Sequence, residues 1–181
     1  DLSAIPSHAR HLNREVFFDA LTGLPNLQLL TQLIQESMLH AEKSQNTLAV
    51  CSLDIDFFKK VNDWLGPQVG DVLLSTFSQR ISHLLFGDDV LARVGGDEFV
   101  LLLHHGVDEA FFDKLLATIR KPLMIEGQSV HLTASLGVTL YPQDAVQGDV
   151  LLRHAHQAMY RAKQRGRDTF HIFDPEHDRL L

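Results

Sequence analysis

Only one cysteine, Cys51, stands in a chain of 181 residues, so no internal disulfide can form. That suits a reducing, cytoplasmic compartment. Nowhere does an apolar run approach the roughly 20 residues that a helix needs to span a bilayer. No membrane contact is therefore expected of this segment, although a longer protein around it is free to carry an anchor. The start shows no signal-peptide pattern and opens on mixed polar residues. Positive charge is scarce: 16 Lys and Arg face 23 Asp and Glu, a formal net charge of -7. Nucleic-acid binding relies on a basic surface, so it is not expected here. A phosphate ligand would have to be held by local cations, backbone amides or a metal. The chain also lacks a phosphate loop of the Gly-x-x-x-x-Gly-Lys-Ser/Thr kind, internal repeats and low-complexity segments.

Histidine, by contrast, is abundant, with 11 residues. His104-His105 and His154-Ala155-His156 have no Cys or His partners at zinc-site spacing, so a structural or surface role is expected of them. Hydrophobic residues make up 45% and charged residues 22% of the chain. That is the composition of an ordinary globular domain with a core of its own.

Residues 1–17 are weakly patterned and read as the end of a connecting helix or a linker. Gly23 and Pro25 mark a turn. Leu27, Leu30, Ile34, Met38 and Ala41 then recur at helical spacing. Residues 47–53 read as a buried strand with Asp54 at its end. Residues 56–63 read as a short helix broken at Gly66-Pro67, and Leu73, Phe77, Ile81, Leu84 and Leu85 as one face of the next helix. Residues 90–94 and 99–103 form the arms of a hairpin around Gly95-Gly96-Asp97-Glu98. Phe112, Leu115, Leu116 and Ile119 mark a helix stopped near Pro122. A strand is expected over 130–140 with an irregularity at Gly137. Leu152, Ala155, Met159 and Ala162 mark a helix ending at Gly166, before a short strand over 169–173. Alternating strands and helices argue for a mixed sheet covered by helices.

If the strand ending at Asp54 neighbours the hairpin, the carboxylates of Asp54, Asp97 and Glu98 converge at one sheet edge. Carboxylates so placed suit Mg²⁺, a hard ion that takes one or two carboxylates together with substrate phosphates. Acidic residues are also ordinary turn formers, but two glycines followed by two acids between apolar strands favour a site. Gly95 and Gly96 permit a tight turn and a close approach by a phosphate. Phe57, Phe58 and Lys59 open a helix just after Asp54, where free N–H groups bind phosphate well.

The segment Arg93-Val94-Gly95-Gly96-Asp97-Glu98-Phe99 resembles the signature of GGDEF domains. Further segments resemble the same family in the same order: 19–26, 53–63, Val69-Gly70-Asp71 and Ala158-Met159-Tyr160-Arg161-Ala162-Lys163. Weaker matches are Ser135-Leu136-Gly137-Val138 and Gly166-Arg167. The resemblance spans 18–173. It implies an α/β (α+β) fold with a central mixed, mainly antiparallel sheet of about five strands flanked by helices, similar to nucleotidyl cyclase and polymerase palm domains. It implies a diguanylate cyclase, which condenses two GTP into cyclic di-GMP where two such domains face each other. It further implies Mg²⁺ (or Mn²⁺) held at Asp54, the Ile55 carbonyl and Asp97, with Asp97 as the base and Glu98 assisting. Guanine would meet Asn62 and Asp71. The phosphates would meet Phe57, Phe58, Lys59, Lys163 and Arg167.

Three positions depart from the pattern. Pro67 stands where many relatives have a nucleotide-binding histidine. Phe86 replaces the arginine of an Arg-x-x-Asp product-inhibition site whose Asp89 is kept, and Phe86 is expected to pack at a helix end instead. His156 stands where an Asp is usual. Residues 174–181 read as a C-terminal linker, either a generic polar tail or a junction to an EAL phosphodiesterase domain. In the second case the chain is one module of a hybrid with an upstream sensor, and its GGDEF part could act as a GTP-binding regulator.

Overall fold

The computed structural model describes residues 14–105 and 107–178. Most of the connecting segment expected over 1–17, and residues 179–181 of the tail, lie outside the described residues. Arg14–Phe17 forms one helical turn, α1. The described chain then runs α2 (Leu27–Ser44), β1 (Leu48–Ile55), α3 (Phe58–Leu65), α4 (Pro67–Ser82), β2 (Val90–Arg93) and β3 (Glu98–Leu103). It continues through α5 (Glu109–Arg120), β4 (Leu123–Ile125), β5 (Gln128–Val130), β6 (Ala134–Tyr141), α6 (Gly148–Gln164) and β7 (Phe170–Ile172).

Five strands form one sheet in the order β2-β3-β1-β6-β7. All neighbours are antiparallel except β6 and β7. This is the mixed, mainly antiparallel sheet expected. Its centre, β1, is buried along all eight residues. Successive side chains of a strand point to opposite faces, and here both faces are covered. Ala49, Cys51, Leu53 and Ile55 join Leu73, Phe77, Ile81, Phe112 and Leu116 from α4 and α5. Leu48 and Val50 join Leu30, Ile34, Leu151 and Ala155 from α2 and α6.

Local chemistry sets the element ends. The side chain of Asn26 accepts from the Leu29 N–H at the start of α2, and that of Asp108 accepts from the Phe111 N–H at the start of α5. Gly66, at φ 92°, closes α3 and opens α4, with Pro67 in the first turn of α4. Proline costs nothing there, because its missing N–H would have no helical partner anyway.

Several boundaries differ from the sequence reading. The short helix starts at Phe58, not at residue 56, because Phe57 takes a left-handed conformation at φ 56°. Helix α4 stops at Ser82, leaving Leu84 and Leu85 in the following turn. The strand expected over 130–140 is two elements. Val130 ends β5, which pairs with β4 as a separate ribbon, and β6 begins only at Ala134. Gly137 is not an irregularity, since it pairs with Ser52 in unbroken register. Its role lies across the sheet: a Cβ there would stand 2.0 Å from the Met159 nitrogen and 2.2 Å from the Ala155 oxygen. Helix α6 therefore lies on the sheet at backbone contact, over Gly137 and its own small residues Ala155, Ala158 and Ala162.

Beyond β7 the chain folds back. Asp178 is buried, accepts from the Asp174 N–H at 2.7 Å and meets His171 Nε2 at 3.0 Å and Arg161 at 3.5 Å.

Candidate active site

The register brings the acidic residues together. Asp54 lies directly opposite Glu98, and the Ile55 N–H donates to the Asp97 carbonyl at 3.2 Å. Asp54 is the penultimate residue of β1, and Glu98 is the first residue of β3 rather than part of the turn. The side chain of Asp54 points to the α6 face, where Lys163 in the last turn of α6 makes an ion pair with its Oδ2. The Asp97 carboxyl is close enough to act on the titration of Asp54. Burial and then the Asp97 carboxyl push the Asp54 pKa up to about 7, against the lowering pull of Lys163. Asp54 Oδ1 is buried with no hydrogen-bond partner. Two facing carboxyls, one lysine and an orphaned buried oxygen leave negative charge that a divalent cation would neutralise. The donor set, all hard oxygen, fits Mg²⁺ or Mn²⁺.

The turn that carries Asp97 is braced from outside. Arg93 donates to the Gly96 carbonyl from Nε at 3.1 Å and from Nη2 at 2.7 Å, and its Nη1 meets both Asp19 oxygens at 3.1 Å. Asp19 also accepts from the Thr22 N–H and hydroxyl. Burial alone would push the Asp19 pKa up, but the Thr22 and Arg93 hydrogen bonds outweigh it and hold it below the ordinary carboxylate value. A rigid guanidinium fork spans turn and loop together in a way that a lysine cannot.

A second carboxylate ties the far side of the site. Asp56 is buried and accepts from Ser135 Oγ at 2.6 Å, Thr133 Oγ1 at 2.7 Å and the Asp168 N–H at 3.0 Å. It thereby fastens the loop after α6 to the end of β1. On that loop Arg167, at φ 65°, lays its guanidinium 4.6 Å from the centre of the Phe57 ring. Lys59 is exposed in the first turn of α3, and Phe58 packs against the core. Asn62 on α3 sits over α4 at Gly70, where a Cβ would meet Asn62 Oδ1 at 1.8 Å. Asp71, the next residue, is exposed.

The structure thus groups Asp54, Asp97, Glu98 and Lys163 at one sheet edge. Phe57 and Arg167 meet beside it, and Asn62 lies against Gly70, the residue before Asp71, on the α3–α4 pair. The sequence reading left out Asp19, Arg93 and Asp56 as organising residues. The signals were present, as an Arg two residues before the glycine pair and an Asp two residues after Asp54, but what these side chains bind depends on loops remote in sequence. Phe86 does not pack at the helix end as expected. It is 62% exposed and stacks on His105 with ring centres 4.8 Å apart. Asp89 is committed to the backbone, accepting from the His104 N–H at 2.8 Å and the Phe86 N–H at 3.4 Å. Among the described residues, no helix is long and apolar enough to cross a membrane.

Known proteins resemble this chain in sequence and in fold. The family model described as "Diguanylate cyclase, GGDEF domain" matches residues 16–169. PdeR of Escherichia coli K12, a cyclic di-GMP phosphodiesterase, is 40% identical over 161 residues, covering 87% of this chain and 24% of PdeR. MucR of Pseudomonas aeruginosa, a bifunctional diguanylate cyclase/cyclic di-GMP phosphodiesterase, is 36% identical over 95% of this chain and 26% of its own length. The chain therefore spans about a quarter of these relatives. The structure of a delta-N mutant of TpbB (YfiN) from P. aeruginosa comprising only the GGDEF domain superposes with a TM-score of 0.84 at 33% identity, covering 91% of this chain and 98% of that one. With the signature segment on the β2–β3 turn and the family match running over nearly all of the described residues, this chain belongs to the GGDEF domain family.

Proposed function

We propose that the domain is a diguanylate cyclase that condenses two GTP into cyclic di-GMP and two pyrophosphates at the interface of two GGDEF domains. The observation that carries the reading is the meeting of Asp54, Asp97 and Lys163 at one sheet edge, with Asp54 Oδ1 orphaned. Asp54, Asp97 and the carbonyl of Ile55, the last residue of β1, would hold Mg²⁺ or Mn²⁺. When bound, such an ion supplies charge neutralisation on the phosphates and acidifies a neighbouring hydroxyl.

The domain's own residues do the rest. Phe57, Phe58 and Lys59 at the start of α3 offer N–H groups and a cation to the phosphates. Lys163 and Arg167 take the outer phosphate charge. Asn62 and Asp71 receive guanine, whose N1–H and N2 amino groups donate to a carboxylate in a pattern that adenine lacks. Asp97, with Glu98 beside it, accepts the proton of the attacking 3′-hydroxyl. That oxygen bonds to the α-phosphorus of the facing GTP, and pyrophosphate leaves. A second such transfer, with the roles exchanged, closes the ring. One domain holds one GTP and cannot complete the product alone, so a second GGDEF domain is required.

Two observations favour a second reading, a GTP-binding regulator of low turnover in a hybrid with a sensor and an EAL domain. Pro67 has no side-chain donor for nucleotide, and PdeR is a phosphodiesterase. The test is incubation of the purified domain with GTP and Mg²⁺, followed by chromatography for cyclic di-GMP, beside Asp97→Ala. Product from the unaltered domain and none from a folded Asp97→Ala supports the cyclase. GTP binding without product supports the regulator, and full activity of Asp97→Ala refutes the assigned base.

A further inference from the structure

We infer that Lys163 is an exchangeable counter-ion that couples metal uptake to triphosphate binding, so that the domain takes up metal tightly only together with the nucleotide. This rests on the proposed metal and phosphate roles. It adds that one lysine serves both sites in turn.

Lys163 pairs with Asp54 Oδ2, its side chain 25% exposed against 7% for Asp54. It therefore bridges the buried carboxylate and the solvent side from which a triphosphate would come. Its backbone cannot withdraw. Helix α6 lies at backbone contact with Gly137, and Ala158, Met159 and Ala162 are buried beneath it. Any movement belongs to the flexible four-carbon stem.

Among the described residues, no second cation is paired with Asp54 to relieve Lys163. Arg167, the other cation assigned to the phosphates, rests on the Phe57 ring. Lys59 and Lys60 are exposed on α3, with Lys60 5.1 Å from the same ring. Asp54, raised in pKa by the neighbouring Asp97 carboxyl, thus has a single ammonium paired with it.

A dication approaching Asp54 on its own must either displace that ammonium into water or sit against a like charge, and both weaken its binding. A triphosphate changes the balance. It offers Lys163 another anion within reach of its stem and frees both Asp54 oxygens. Because coupling between two ligands is reciprocal, the metal must raise nucleotide affinity by the factor that nucleotide raises metal affinity. Lys163 is the residue through which part of that factor passes.

The test uses Mn²⁺ as the probe, with binding read by its electron paramagnetic resonance signal on the unaltered domain, Lys163→Met, Lys163→Gln and Asp54→Asn. A parallel fluorescence titration follows a non-hydrolysable GTP analogue with and without Mn²⁺. The affinity of the analogue itself for Mn²⁺ is common to all variants and cancels between them.

Without nucleotide, Lys163→Met and Lys163→Gln should bind Mn²⁺ about tenfold tighter than the unaltered domain, a factor typical of coupling between two sites. Their gain in analogue affinity on adding Mn²⁺ should be smaller than that of the unaltered domain. Asp54→Asn should lose Mn²⁺ binding. Equal or weaker nucleotide-free Mn²⁺ binding in both lysine variants, with the Mn²⁺ effect on the analogue intact in the unaltered domain, overturns the exchange. If Mn²⁺ changes analogue affinity in no variant, the metal reading beneath it fails instead.

Discussion

His104 illustrates how much a single residue can cost this fold. It is 3% exposed, and neither ring nitrogen has a hydrogen-bond partner. Burial first, and His40 next, hold its pKa below the ordinary histidine value, against the opposing pull of Asp89 and Asp88. Above the unfolded value of about 6.5 both states are neutral and His104 has no pH effect. As pH falls through that value, the unfolded state takes up a proton that the folded state refuses, and stability is lost. A phenyl ring is close in shape and size to the imidazole it would replace. His104→Phe should therefore raise stability by about 1 kcal/mol near neutral pH, since an unpaired buried polar group is removed. It should also flatten the decline from about pH 7.5 to 5.5. Urea denaturation at both pH values checks this, and an equally steep decline in the variant would contradict it.

The proposed guanine contacts also belong to single residues. Losing a hydrogen bond to a charged group costs roughly 1.5–3 kcal/mol, about ten- to a hundredfold in affinity. GTP should therefore bind that much tighter than ATP, and Asp71→Ala should remove most of the difference. Calorimetry with the two nucleotides checks it, and equal binding by the unaltered domain would sink the assignment of Asn62 and Asp71.

At the scale of elements, the contact between α6 and β6 positions Lys163. Gly137→Ala would place a methyl 2.0 Å from the Met159 nitrogen, and backbone cannot yield as a side-chain tip can. Overpacking of this kind costs typically about 1–3 kcal/mol. The variant should unfold at lower denaturant and show weakened nucleotide binding as Lys163 shifts. Unchanged stability would mean that α6 is free to lift. The connection from α4 to β2 leads to a different expectation. With Asp89 engaged by two backbone N–H groups and Phe86 stacked on His105, no guanidinium is present there to grip a guanine or phosphate. Titrating cyclic di-GMP into the domain, with its active site blocked by a GTP analogue, should therefore give no tight binding at this site. Tight binding that vanishes on changing Asp89 would show the opposite.

Elements differ in how plainly the sequence announces them. The helical faces of α2, α4, α5 and α6 and the hairpin at Gly95-Gly96 were legible because hydrophobic period and glycine chemistry are local. The β4–β5 ribbon was missed because three-residue strands around Glu126-Gly127 offer too little alternation to separate them from the strand that follows. The function of Gly137 was misread for a related reason. Close approach by a helix 20 residues later leaves no local mark. Within the site, Asp54, Asp97 and Glu98 were legible as a group. The braces Arg93–Asp19 and Asp56–Asp168 were not, because each joins segments more than 70 residues apart.

For the whole molecule, the carboxylates of β1 and the hairpin, the start of α3 and the last turn of α6 gather at the end of the sheet where β1 finishes. On the proposed cyclase reading, one nucleotide-loaded domain must meet another, so the rate per domain should rise with domain concentration until dimers predominate. The most direct measurement is quantitative: the purified domain, GTP and Mg²⁺, with cyclic di-GMP and pyrophosphate counted together over a range of protein concentrations. Two pyrophosphates should appear for every cyclic di-GMP, the rate per domain should climb with concentration, and Asp97→Ala should give neither product. A folded domain that binds GTP and yields no cyclic di-GMP at any concentration would contradict the cyclase reading.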